Sequence, residues 1–187
     1  MSFLDSILKF FIGDKTKKDI KSIIPVVEEI KSFESEISSL NNDELREQTQ
    51  NFKSEIELSI NEIKSKIKQL KEAVDKTNDF DEKEELYTQI DEYEEECYKI
   101  TEDTLNKILP KAFAVVKETA KRFFDNKEII VRATSFDREI SGNKEYVQLD
   151  NDKAIWKNSW DAAGKAITWD MIHYDVQLIG GIALHRG

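Results

Sequence analysis

The sequence predicts an α+β chain that is mostly α, with N-terminal helices, a long antiparallel coiled-coil-like helical hairpin and a small antiparallel β-sheet. Three observations carry this reading. The 187 residues are 39% hydrophobic and 35% charged with only 6 Gly and 2 Pro, a balance that suits long helices with broad polar faces. Apolar residues between Ile56 and Ile100 recur at alternating steps of three and four, the period of a packed helical seam. After Asn126 the texture turns β-branched and alternating, as in short strands.

Residues 1–12 place Phe3, Leu4, Ile7, Leu8 and Phe11 on one helical side, followed closely by Lys9, Lys15, Lys17, Lys18 and Lys21. Two readings stand: a helix docked on its own domain, or one lying in the headgroup layer of an anionic membrane. A secretory signal is disfavoured, because Lys9 breaks the apolar run and no small-x-small cleavage site follows. Gly13 is expected to close this helix, with Asp14 or Thr16 capping the next. That next helix buries Ile20, Ile23, Ile24, Val27 and Ile30, and Pro25 within it predicts a kink or two shorter helices. Asn41 with Glu44 reads as a capping box opening a helix that carries Leu45, Phe52 and Ile56 inwards.

Ile56, Ile60, Ile63, Ile67, Leu70 and Val74 form one a/d seam, and Leu86, Ile90, Tyr93, Cys97 and Ile100 form a second. The polar Thr77–Asp81 turn joins them into an antiparallel hairpin. Its second arm is acidic between Asp79 and Asp103, whereas the first carries Lys64, Lys66, Lys68, Lys71 and Lys76. The arms can therefore pair by charge, and the acidic run is read as a solvated face or as a docking arm for a basic partner. Pro110 suits the first turn of a new helix with Phe113, Val116 and Ala120 facing in. Beyond it, Glu128–Arg132, Lys144–Leu149 and Ala154–Trp156 read as strands of a sheet within 127–170, with a turn at 150–152. Trp156, Trp160 and Trp169 are expected to form the core of that sheet, the alternative being a surface platform for a partner.

The net charge of −10 speaks against general nucleic-acid binding, which needs a cationic surface. The single cysteine, Cys97, excludes an internal disulfide and fits a reducing compartment. It sits on an expected seam, where a thiol is inert. No run of 18 apolar residues is present, so no membrane-spanning helix is expected. His173 and His185 lie twelve apart with no Cys near them, an improbable metal site, and His173 is expected to line the edge of the site formed by 171–187 or pack under it. No catalytic residue is proposed.

The stretch 171–187 crowds aromatic, amide and small residues without a period that packing explains. Gln177 can donate and accept one hydrogen bond at once, which suits the edge of an adenine. On a helical turn Met171 and Tyr174 would lie on the same side as Gln177, so a thioether and a ring could flank the base.

The string Asp175-Val-Gln-Leu-Ile-Gly-Gly-Ile-Ala-Leu-His185 resembles the Q-motif region of the SecA family, the preprotein translocase ATPases. Leu109-Pro-Lys-Ala-Phe-Ala-Val-Val-Lys-Glu-Thr-Ala-Lys-Arg122 is similar to the family's L-P-x-A-F-A-x-x-R-E-A helix, with Lys117 where Arg is usual. Asn42-Asp-Glu-Leu-Arg46, with Thr49 and Phe52, resembles its D-E-E-L-R-x-K-T-x-x-F segment, and Pro25-Val-Val-Glu-Glu-Ile30 its early V-x-x-I helix. Four blocks in the same order cover roughly half of the chain, with two insertions near 59–104 and 126–170.

The resemblance implies N-terminal helices over 1–58 and an inserted hairpin over 59–104. A motor-domain helix over 105–125, an inserted β-rich segment over 126–170 and the Q-motif segment over 171–187 complete the division. It implies the start of a RecA-like motor domain whose parallel sheet is absent here. Met171, Tyr174 and Gln177 then bind the adenine of ATP or ADP, with magnesium used by the full-length protein, and Tyr174 stands where the family usually has Phe. Implied partners are the Sec membrane channel, preproteins and anionic lipid through residues 1–12, and a homodimer is left open. The implied place is cytoplasmic, at the inner face of the plasma membrane. The family's G-x-G-K-T loop follows its Q motif, but neither Gly-Lys-Thr nor Gly-Lys-Ser occurs here. The chain as given, ending at Gly187, is expected not to hydrolyse ATP and to bind nucleotide weakly. The competing reading from another class is a coiled-coil, membrane-attached adaptor without a nucleotide role.

Overall fold

The computed structural model describes residues 14–187, with side chains from Ile20 onwards. The expectations for the helix over 1–12, the stop at Gly13 and the Asp14 or Thr16 cap lie outside these described residues. The chain divides into two compact units, one running up to Arg46 and resuming over Phe113–Gly187, the other Glu47–Ala112.

In the first unit, helix α1 (Asp14–Ser32) runs through Pro25 without a break. Proline costs one backbone hydrogen bond, and the buried stripe of Ile23, Val27 and Ile30 holds the helix across it. The short α2 (Glu34–Ser39) adds buried Ile37. Helix α3 (Asn42–Lys76) then opens on the expected reciprocal cap. The Glu44 N–H donates to Asn41 Oδ1 at 3.0 Å, while the Asn41 N–H donates to Glu44 Oε2 at 2.8 Å, so two otherwise unpaired donors are satisfied.

The second unit holds the hairpin. Helix α3 ends at Lys76 and α4 (Phe80–Asp125) begins after a three-residue turn. Asp79 Oδ1 accepts from the N–H groups of Asp81 and Glu82 at 2.9 and 3.1 Å, capping α4. Ile60, Ile63, Val74 and Ile90 are buried along the seam. The remaining seam positions stay half-buried, since two helices cover only one side of each other. Lys71 pairs with Glu94 at 2.8 Å and Lys107 with Glu55 at 3.2 Å, an antiparallel register, and Lys66 Nζ sits 5.6 Å from the Tyr93 ring centroid.

Pro110 does not start a helix. It lies inside the 46-residue α4, beside buried Ile108 and Leu109, whose packing outweighs the missing N–H. Further along, in the first unit, Ala114, Val115 and Ala120 are buried and Phe113 half-buried, whereas Val116 is 55% exposed. The expected inward stripe is thus interrupted at Val116.

The β-rich segment forms two antiparallel sheets rather than one. Strands β1 (Glu128–Arg132), β2 (Val147–Asp150) and β3 (Lys153–Lys157) pair in the order β1-β3-β2, in register Val131↔Ala154 and Leu149↔Ala154. Strands β4 (Ser159–Ala162) and β5 (Lys165–Thr168) form a separate hairpin. Its turn places both Ala163 (φ 55°) and Gly164 (φ 81°) in the left-handed region, as two-residue hairpins require. Ile129, Val131 and Ala154 make the sheet's core, with Phe123, Ala133 and Trp156 packed against them. None of the three tryptophans is fully buried. Trp156 packs against the rim of that core with its indole N–H donating to Asp137, and the Trp169 indole N–H donates to the Met171 carbonyl.

Helix α5 (Ser135–Ser141) follows β1 and had no counterpart among the expected elements, although Thr134 and Asp137 form its capping box. Asp137 is fully buried and its carboxylate is saturated. Oδ1 accepts from Arg46 at 2.8 Å and from the Trp156 indole at 3.0 Å. Oδ2 accepts from Arg46 at 2.8 Å and from the Thr134 N–H and hydroxyl at 2.7 and 2.8 Å. Burial pushes this carboxyl up, but the Arg46 hydrogen bonds, followed by those from Thr134, win and hold it at about 2. Its neighbours extend the same join: the Arg132 N–H donates to Asp43 at 2.7 Å, and Asn42 donates to the Ile130 carbonyl at 3.2 Å. Arg122 then ties α4 to Asn42 at 2.8 Å and to the Leu40 carbonyl at 2.6 Å.

Replacing Asp137 by Asn sets an amide N–H₂ against these donors, and urea unfolding should show a loss of about 3 kcal/mol. The wild type carries a pH signature as well. A carboxyl at about 2 when folded and near 3.8 when unfolded stabilises fully above the unfolded value. That contribution disappears as pH falls from about 4 to about 2. The Asp137→Asn protein should lack this component of acid destabilisation, as measured by melting temperature against pH.

Candidate functional site

Helix α6 (Asp175–Arg186) carries the candidate site at its N-terminus. Its start is set by Gln177, whose Oε1 accepts from the Tyr174 N–H at 2.8 Å, the N3-to-N-cap half of a capping box. This bond fixes the orientation of the amide, since only the oxygen can face a backbone donor. The nitrogen then points to Met171, with Nε2 to Sδ at 3.5 Å.

The side chains of Met171 and Gln177 meet, and Gln177 also holds the Tyr174 backbone, but not on one helical turn. Tyr174 is the N-cap residue with extended backbone (φ −85°, ψ 161°), and Met171 precedes it outside the helix. Capping, rather than helical period, gathers Met171 and Gln177. A primary amide offers two N–H donors and two acceptor sites. The cap uses one acceptor and the sulfur one donor, so among the described residues one of each remains on a solvent-exposed side chain. That leftover pair is the complement of an adenine edge, which offers the N6 amino donor beside the N7 acceptor. The donor chemistry therefore fits a purine, and Tyr174 is 73% exposed.

The helix is seated on α1 from both ends. Lys31 Nζ meets Asp175 Oδ2 at 2.8 Å, and Arg186 donates to the Ser22 hydroxyl at 3.1 Å. The hydrogen bond to Asp175, then that to Glu28, holds the Lys31 ammonium above its ordinary pKa. Leu178 and Ile182 are buried, one turn apart on the inward face. Gly181 allows close approach to α4, because a Cβ there would lie 2.7 Å from the Phe113 ring.

His173 is half-buried, and its Nδ1 is buried without a hydrogen-bond partner among the described residues. Cys97 is half-buried on the hairpin seam, remote in sequence from the site. The sequence marks Ile167-Thr-Trp-Asp170 as a stretch that could shape the wall of the pocket, but not the contact Trp169 makes. Its indole N–H donates to the Met171 carbonyl at 2.7 Å, and neither period nor motif marks that contact.

The fold and site together define a mostly helical α+β chain ending in a glutamine-capped helix whose free amide valences suit a purine edge. The family description "SecA DEAD-like domain" matches residues 8–187, and the chain belongs to that family. Over all 187 residues it is 56% identical to the protein translocase subunit SecA of Christiangramia forsetii and 55% identical to that of Flavobacterium psychrophilum. Over 185 residues, 99% of this chain, it is 43% identical to the same subunit of Bacteroides fragilis. The chain spans 17% of the length of the first two relatives and 16% of the third. No solved structure matches it.

Two adjacent glycines should respond oppositely to alanine. Nothing lies within 4 Å of a Cβ at Gly180, so Gly180→Ala should raise stability by about 1 kcal/mol through helix propensity. Gly181→Ala should lower it by about 1–3 kcal/mol, because the new methyl drives α6 off Phe113. Thermal unfolding followed by circular dichroism checks both, and equal gains would show that Phe113 does not set this spacing.

Proposed function

We propose that this chain is the N-terminal part of the ATP-driven motor subunit of the bacterial Sec preprotein translocase. In this reading Gln177 contacts the adenine edge of ATP or ADP, with Met171 and Tyr174 beside the base. The observation that carries it is the Gln177 amide, pinned by its cap and keeping one donor and one acceptor free, within a chain of the SecA DEAD-like family. Residues 1–187 contain no Gly-Lys-Thr or Gly-Lys-Ser sequence. The reading therefore assigns only the purine end of the nucleotide to this chain and gives it no hydrolytic residue.

When bound with magnesium, ATP would supply the free energy of its hydrolysis, and the residues of this chain would only orient the base. The curated relatives are named protein translocase subunits, which supports preproteins and the Sec membrane channel as partners of the whole protein. Among the described residues no helix is long and apolar enough to cross a membrane. Attachment to anionic lipid through residues 1–12, at the inner face of the plasma membrane, is part of the same proposal.

Gln177→Glu in the full-length subunit separates recognition from folding. Glutamate keeps the capping oxygen but removes the N–H that an adenine N7 needs. The expected outcome is roughly tenfold weaker ADP binding, about 1.4 kcal/mol, at an unchanged melting temperature. Unchanged affinity in fluorescence titration with a labelled ADP would remove the adenine assignment.

A further inference from the structure

We propose that Trp169, contributed by the inserted β-rich segment, is a positioning residue for the purine edge; this rests on the adenine reading of Gln177. The inference starts from how the β4–β5 hairpin is rooted. The Asn158 N–H donates to the Lys127 carbonyl at 2.9 Å, and its side-chain amide donates to the Phe123 carbonyl at 3.2 Å. The Trp169 N–H donates to the Asn158 carbonyl at 2.7 Å, closing the open end of the hairpin next to that root. The backbone of Trp169 is thus tied, through Asn158, to the end of α4 and the entry to β1.

From this anchored position the indole reaches forward. Its Nε1–H donates to the Met171 carbonyl at 2.7 Å, with the indole half-buried. Met171 in turn presents its sulfur to Gln177 Nε2 at 3.5 Å, and the Tyr174 N–H holds the opposite end of the same amide at 2.8 Å. The terminal torsion of a glutamine is otherwise broad. With both ends engaged, the free donor and acceptor face one way before any base arrives, and this preorganisation raises affinity by reducing the ordering cost. Trp169 touches no base in this scheme; it acts through Met171.

The consequence is base selectivity set partly by the insertion. Guanine carries an O6 acceptor where adenine carries the N6 donor, so a fixed amide discriminates between them better than a rotating one. The test uses the full-length translocase subunit and measures dissociation constants of fluorescently labelled ADP and GDP. Trp169→Phe keeps a ring and removes the N–H. ADP affinity should fall roughly three- to tenfold with little change for GDP, since what is lost is orientation of the amide. Introducing Gln177→Glu into that background should then weaken ADP binding less than it does alone, because the two residues act in series.

An unchanged ADP affinity and ADP-to-GDP ratio in Trp169→Phe, where Gln177→Glu alone weakens ADP binding, would overturn the role of Trp169 and leave the adenine site standing. No effect of Gln177→Glu would instead remove the adenine site, and this inference with it. Should Trp169→Phe lower the melting temperature, Trp169→His joins it, since its ring N–H can still donate toward the Met171 carbonyl. An ADP-to-GDP ratio closer to wild type than that of Trp169→Phe is then expected, and equal ratios in the two variants overturn the proposal.

Discussion

A single buried carboxylate organises the first unit. Asp137 is shut off from solvent, and an unpaired charge there would cost several kcal/mol. Five hydrogen bonds reach it, from Arg46 at the start of α3, Thr134 ahead of α5 and Trp156 on β3. Because a carboxylate only accepts, each group that reaches it must come as a donor from a fixed direction, which specifies how three separate elements meet. The segment Asn41–Arg46 supplies most of the remaining join. Asn42 and Asp43 hold the outer edge of β1, Asn41 and Glu44 cap the helix, and Leu45 is buried. A block that reads in sequence as a family signature is, in physical terms, the clasp between helices and sheet.

What was legible in the sequence was local. The Asn41–Glu44 cap, the seam from Ile56 to Ile100 and the turn after Lys76 depend on residues a few positions apart, and period and capping rules capture them. The strand stretches were equally visible in their β-branched texture. Pro110 misled because an isolated proline argues for a boundary, whereas the apolar surface around Ile108 and Leu109 keeps the helix whole. Val116 misled in the other direction, since it continues a helical stripe that this unit does not cover. Helix α5 had a legible signal in Thr134 and Asp137, yet the partner that makes Asp137 decisive, Arg46, lies 91 positions away. No short-range rule reaches that far.

The same division applies to the candidate site. Gln177, Tyr174 and Met171 were legible as residue types that suit a purine, and the string Asp175–His185 carried a resemblance that the family match now supports. The geometry was not legible. A helical turn would have lined the three side chains along a cylinder, while the structure starts the helix at Asp175 and draws Met171 in through a glutamine cap. The cap is what turns a flexible amide into an oriented one. Two blocks distant in sequence then seat it, α1 through Lys31 and α4 through Phe113 against Gly181. The glycine, the lysine and the glutamine thus all act on the placement of one helix.

In the proposed function the Gln177 amide keeps its cap and offers its remaining donor and acceptor to an adenine. An experimental structure of the full-length subunit with ADP bound tests this most directly. Gln177 Oε1 is expected still to accept from the Tyr174 N–H, with the amide within hydrogen-bond distance of adenine N6 and N7. An adenine seated away from Gln177, or an amide that has left Tyr174 to reach it, would remove the adenine assignment.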